Sequence, residues 1–159
     1  MGNAQEGGEI DPFGFTDSDS TRYLLYKNDG NSIGEPDAIW LQPVAHDGIT
    51  LTGPRVELLH NDRPDEAGVT EAPDLIRRDG RYILFYSAGS YAGAGYHSGY
   101  ATSSSLEGPY LKSADPLMTT ATFGGQVTGP GGEDVVQGTD GDHIFFHGWL
   151  NGGTAGPAS

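Results

Sequence analysis

Asp11 and Glu71 are the residues whose type and setting in this chain point most directly to chemistry. Glu9-Ile10-Asp11-Pro12 precedes a turn, Asp17-Ser18-Asp19-Ser20, and then the run Tyr23 to Tyr26. Thr70-Glu71-Ala72-Pro73 likewise precedes Asp79-Gly80 and the run Tyr82 to Tyr86, and Gly129-Pro130-Gly131-Gly132 precedes Asp140-Gly141 and Ile144 to His147. Aligned on these stretches, Asp11, Glu71 and Gly132 share one phase, so two of three equivalent positions carry a carboxyl group. One acid in such a place is ordinarily a turn residue or a cap. Two at the same phase make a site an equal reading, because neighbouring carboxyls oppose each other's ionisation and one can then keep a proton to give away.

The elements that would position them repeat. Tyr23 and Tyr82 are 59 residues apart, and Tyr82 and Ile144 are 62 apart. Inside the first unit further strand-like segments follow at Ala38 to Val44 and, after Asp47-Gly48, at Ile49 to Leu59. Inside the second they follow at Tyr96 to Ser103 and, after Gly108-Pro109, at Tyr110 to Ser113. About four short strands in about 60 residues, with no helical periodicity, predicts an all-β fold built of propeller blades. A β-sandwich with accidental spacing is the lesser alternative. The expected organisation is a disordered start over 1–8, repeat units at about 9–68, 69–128 and 129–150, and a flexible tail over 151–159. The first strand of each unit would line the central channel and display its opening residues towards the axis.

Composition narrows the function. Gly 26 and Pro 10 exceed a fifth of the 159 residues, where ordinary usage is roughly 12%, and they alternate with aromatic runs, as turns between short strands do. Lys plus Arg 8 against Asp plus Glu 22 leaves a net charge of −14, a field that repels phosphate backbones and anionic membranes and leaves neutral substrates such as sugars open. With no cysteine there is no disulfide, thiolate metal site or Cys nucleophile. The opening residues Met1 to Gly8 show neither the basic nor the apolar region of a signal peptide.

Other motifs carry less. His46, His60, His97, His143 and His147 form no HExxH or i, i+4 pair, so zinc chemistry has no support; His147 is expected to be half-buried in its strand. Asp17 and Asp19 lack the Gly and terminal Glu of a calcium loop and are read as a connecting turn. Gly89 to Tyr96 lacks the Gly-Lys-Ser/Thr ending of a phosphate loop and is read as a flexible connection, or as a rim that places Tyr91 or Tyr96 at a sugar pocket. Trp40 and Trp149 are read as packing before sugar stacking.

Taken in order, Ile10-Asp11-Pro12, Glu71-Ala72-Pro73-Asp74-Leu75, Gly80-Arg81-Tyr82-Ile83-Leu84-Phe85-Tyr86-Ser87, Gly99-Tyr100-Ala101-Thr102-Ser103, Gly129-Pro130-Gly131 and Phe146-His147-Gly148-Trp149 resemble glycoside hydrolase family 43. These are five-bladed propeller enzymes, arabinofuranosidases and xylosidases of hemicellulose degradation. The resemblance implies inverting hydrolysis of arabinose- or xylose-containing polysaccharides or oligosaccharides. It assigns Glu71 as the general acid and Asp11 as the residue that tunes it and orients the substrate, with Phe13, Tyr91, Tyr96 and His147 as pocket candidates. The match looks like the third blade, the fourth and the opening of the fifth. The family's general base, an Asp on the first blade, has no counterpart, so a chain inactive by itself, with at most a sugar-binding or assembly role, is the alternative; Asp37 and Asp74 are the other acids that could serve as base. Self-association through unpaired blade edges is expected on the same ground. No cofactor is required. Gly132 stands where the family often has a His holding water or a metal ion near the axis, so a calcium ion there would need Glu133 or Asp134 as a substitute ligand. A secreted or periplasmic parent is the corresponding expectation.

Overall fold

The computed structural model describes residues 3–150, 152 and 153. Ten strands form two four-stranded antiparallel meanders and a hairpin. The first meander is β1 (Glu9–Thr16), β2 (Arg22–Asn28), β3 (Ala38–Val44) and β4 (Val56–His60). The second is β5 (Thr70–Arg78), β6 (Arg81–Ala88), β7 (His97–Ser103) and β8 (Leu111–Lys112), and the hairpin is β9 (Val127–Gln137) with β10 (Asp142–Leu150). The chain is therefore all-β, and β1, β5 and β9, the opening strands of successive units, contact one another in that order.

Two expected segments are corrected. The strand foreseen over Ile49 to Leu59 is reduced to β4, with Leu51 only bridged to Val44. Gly53-Pro54 lies between, and a proline cannot donate to a sheet ladder. The start foreseen as disordered carries a 3-10 turn at Ala4–Glu6, capped by the Asn3 side chain and tied down by Glu6, whose carboxylate takes both Arg55 guanidinium nitrogens at 2.6 and 2.7 Å. Of the expected tail, Asn151 and residues 154–159 lie outside the described residues.

The middle strands are buried on both faces. In β2 the consecutive residues Leu25, Tyr26, Lys27 and Asn28 are all buried, which is what a sheet covered on both sides requires and what strict alternation would not give. Leu25, Ile39 and Leu41 from the first meander and Leu84, Ala88 and Ala101 from the second form one apolar core between the two sheets.

The register of the opening strands differs from the alignment on the acids. The ladder skips between Ile10 and Phe13 in β1 and between Glu71 and Asp74 in β5, leaving a bulge of two residues in each. Ile10 faces Lys27 and Glu71 faces Ser87, so Glu71 is equivalent to Ile10. Asp11 is equivalent to Ala72: both have positive φ, 53° and 50°, and both precede proline. In β9 the same place is held by Gly129, φ 60°, before Pro130, three residues ahead of Gly132. The marker of the repeat is thus the left-handed residue before proline, and aligning carboxyl on carboxyl slips the pattern by one. A one-residue slip exchanges the faces of a strand.

Candidate active site

Asp11 still reaches the segment that carries Glu71, and the bulges are the reason. At its left-handed position the Asp11 side chain turns out of the β1 ladder towards β5, where its Oδ2 accepts the Ala72 N–H at 3.0 Å. That N–H belongs to the residue after Glu71. Burial pushes the Asp11 carboxyl above its usual range; the Ala72 N–H works against this, and the charge of Glu71 adds to the rise.

Glu71 is held at both oxygens. Oε2 accepts from Lys27 Nζ at 3.0 Å, and Oε1 accepts from the Tyr96 hydroxyl at 2.7 Å. Its side chain keeps 16% of its surface exposed. Tyr96 is almost fully buried, and burial together with Glu71 raises its phenol far above the ordinary tyrosine range. Beneath it, Ser87 Oγ donates to Glu133 Oε2 at 2.8 Å and accepts the Gly132 N–H at 2.7 Å, and Ser98 Oγ donates to the same Glu133 oxygen at 2.7 Å.

The other candidates are dispersed. His147 is exposed, not half-buried, because β10 has a partner on only one side; its ring stacks on Tyr96 at 5.9 Å between centroids, so it touches the site through Tyr96. Tyr91 is exposed, and its carbonyl accepts the Trp149 indole N–H at 2.9 Å. Phe13 packs half-buried on the main core. Trp40 is covered by the Arg55 guanidinium at 3.9 Å and donates its N–H to Asn28. Asp17 accepts from the Tyr82 hydroxyl and from Ser18 N in the turn after β1. Asp37 and Asp74 are each about 1% exposed and accept backbone N–H groups of Thr70 and Val135, so neither is open to an attacking water. A cleft of about 740 Å³ lined by Phe13, Asp17, Leu75, Arg77 and Val135 lies at the far ends of β1, β5 and β9, away from the acids.

A Cβ at Gly132 would lie 2.5 Å from the His147 ring, so a side chain there would have to displace that ring, and Glu133 is turned inward onto two serine hydroxyls. Among the described residues no group of three His, Cys, Asp or Glu is placed to hold a metal ion.

Lys27 is the site residue that the sequence reading missed. Its signal was present: a lysine inside the strand run Tyr23-Leu24-Leu25-Tyr26-Lys27, at a position whose backbone neighbours are core. Close approach also depends on Gly131, where a Cβ would sit 2.2 Å from the Tyr96 ring and 2.9 Å from Ser87 Oγ. Gly131→Ala is expected to push Tyr96 off Glu71 and to cost about 1–3 kcal/mol, as overpacking does, because the buried ring must shift to make room. A urea titration would measure the loss; unchanged stability would refute the account of Gly131.

Comparison with known proteins gives this all-β chain, with acids near the starts of its adjacent opening strands, its family. The model for glycosyl hydrolases family 43 matches residues 1–156, and the chain belongs to that family. It is 30% identical over 141 residues to an alpha-L-arabinofuranosidase 43 of Humicola insolens, covering 82% of this chain and 29% of that protein. Over 44 residues, 28% of this chain and 14% of the relative, it is 43% identical to a beta-xylosidase of Xylanibacter ruminicola. Among solved structures, an endo-1,4-beta-xylanase from Bacteroides thetaiotaomicron matches with a TM-score of 0.81 and 29% identity, over 92% of this chain and 51% of that one. A thermostable family-43 glycoside hydrolase matches with a TM-score of 0.78 and 28% identity, over 89% and 49%. The chain thus spans about half the length of these solved relatives and less than a third of the curated ones.

Proposed function

We propose that this chain carries the proton-donating part of a family 43 enzyme that hydrolyses arabinose- or xylose-containing polysaccharides or oligosaccharides with inversion. One observation carries the reading: Asp11 reaches from β1 to the Ala72 N–H of β5, beside the partly exposed side chain of Glu71. In this reading Glu71 protonates the departing glycosidic oxygen. Asp11 keeps a second negative charge close by, favouring the protonated acid when a sugar covers the site and excludes water. The meanders correspond to the third and fourth blades of a five-bladed propeller and the hairpin to the opening of the fifth. The carboxylate that activates water belongs to the half of the family fold that this chain does not span. Tyr91 is the pocket candidate with the most ring surface free for a sugar.

The test compares this chain with a form extended to the family's full length, on aryl arabinofuranosides and xylosides. Base assistance is worth about 10² to 10⁴ in rate, so the chain by itself is expected to be slower by that factor. Full turnover by the chain alone would overturn the placement of the base, and no turnover by the extended form would overturn the hydrolase reading.

A second reading, sugar binding or assembly without catalysis, has its own observation. Ile144, Phe145, Phe146 and Leu150 are exposed along β10, whose outer edge pairs with no other strand among the described residues. Self-association through that edge would appear as concentration-dependent mass in sedimentation.

A further inference from the structure

Lys27 is fully buried, an unusual place for an ammonium group, and nothing about the stability of β2 calls for it: the equivalent residue of β6 is Ser87. Taking an ammonium out of water is costly unless it is paired and hydrogen-bonded. Here three carboxylates surround it, Glu71 Oε2 at 3.0 Å, Asp37 Oδ2 at 3.5 Å and Asp29 Oδ1 at 3.6 Å. Burial works to neutralise Lys27; Glu71, Asp37 and Asp29 more than reverse this, so it stays a cation above its usual range.

The partners are themselves fixed. Asp37, directly before β3, accepts the Thr70 N–H with both oxygens, at 3.1 and 3.3 Å, and Thr70 is the residue before Glu71. The Asp37–Lys27 pair therefore grips Glu71 twice, by the backbone on its N-terminal side and by the side chain. Tyr96 completes the clamp at Oε1. The two donors differ in kind. A hydroxyl can donate to Glu71 when the carboxyl is ionised and accept from it when it is protonated, with Ser87 available for the phenolic proton. An ammonium can only donate. Oε2 is thus reserved for Lys27 in both protonation states, and the mobile proton is directed to the other oxygen.

We propose that Lys27, braced by Asp37, is a positioning residue that fixes the Glu71 carboxyl and decides which of its oxygens carries the transferable proton. This rests on the reading of Glu71 as the acid, and the first measurement below is independent of turnover. In the ¹³C-labelled 159-residue chain, the Glu71 side-chain carboxyl resonance is assigned by its loss in Glu71→Gln. Lys27→Met is expected to displace and broaden that resonance as the carboxyl samples several rotamers, while the methyl signals of Leu25 and Leu84 hold. Lys27→Arg, which keeps a donor and a charge, is expected to restore a single line. An unmoved Glu71 resonance in Lys27→Met, or an arginine variant no better than methionine, would overturn the proposal. Should Lys27→Met fail to fold, Asp37→Asn decides instead: it leaves the ammonium unbraced and must broaden the same line, and a native line there also overturns it. The second measurement is hydrolysis of paired aryl glycosides by the form extended to the family's full length. Lys27→Met should lose at least tenfold more rate on poor leaving groups than on activated ones, because only the former need the placed proton; equal losses on both would overturn the proposal. A wild-type extended form that hydrolyses neither substrate counts against the hydrolase reading, while the carboxyl resonance still decides the role of Lys27.

Discussion

Glu71→Gln is expected to lower hydrolysis of glycosides with poor leaving groups by about 10² to 10⁴, the usual worth of a positioned proton donor, in a form of the protein extended to the family's full length. On activated aryl glycosides, whose leaving groups depart without protonation, the loss should be small. The site favours a clean comparison. A glutamine has the shape of the glutamate, its carbonyl oxygen can still accept from Lys27, and its amide can donate to the Tyr96 oxygen, so the surroundings of residue 71 have no reason to rearrange. What the amide lacks is a proton acidic enough to release. Rates on a series of aryl leaving groups therefore separate the roles: a steeper dependence on leaving-group acidity in the variant identifies Glu71 as the acid. Parallel losses across the series would mean that Glu71 binds the sugar without protonating it.

How this site was visible in the sequence, and where it was not, follows from the physics of its parts. Strand-forming runs such as Tyr82 to Tyr86 and the turns between them are local, and the repeat they make could be read from spacing alone. The approach of Asp11 to the segment of Glu71 was legible as well, but through a register that the structure shifts by one residue. A bulge is set by backbone conformation, and the left-handed states of Asp11 and Ala72 leave only a faint trace in sequence, the proline that follows each. The error did not separate the acids, because the same bulge that broke the equivalence also swung Asp11 towards Ala72. Lys27 and Asp37 were illegible as partners because one lies on β2 and the other directly before β3, and they meet Glu71 and Thr70 across the gap to the second meander. Only sheet-on-sheet packing creates that contact. The 3-10 turn at Ala4–Glu6 was lost for a similar reason, since Arg55, which anchors it, lies far along the chain.

Acidity should stabilise this protein over a range where many proteins are indifferent to pH. Asp74, nearly inaccessible on β5, accepts the Val135 N–H on Oδ2 at 2.5 Å, while its Oδ1 is buried without a partner. Burial pushes its carboxyl up to about 7; the Val135 N–H opposes the rise and the neighbouring acids Asp134 and Glu133 reinforce it. In the unfolded chain the same group ionises near 4. Between about pH 4 and 7 the folded state thus binds the extra proton, so stability must fall as pH rises through that window, by up to about 4 kcal/mol from a shift of roughly three units. Burial also raises Glu133, Asp37 and Asp11, and each contributes with the same sign. The acids held below their usual range, Glu6, Asp62 and Asp47, with Asp47 at about 2, oppose this only at lower pH, because their stabilisation is lost as they protonate. The expected outcome is a stability maximum near pH 4 to 5 and a clear decline towards pH 8, measured by urea unfolding across the series. Asp74→Asn keeps an oxygen for Val135 and carries no charge to bury, so it should flatten the decline and be more stable than the native chain at pH 8. A native chain whose stability is level or rising from pH 5 to 8, or an asparagine variant with the full native slope, would exclude Asp74 as the source.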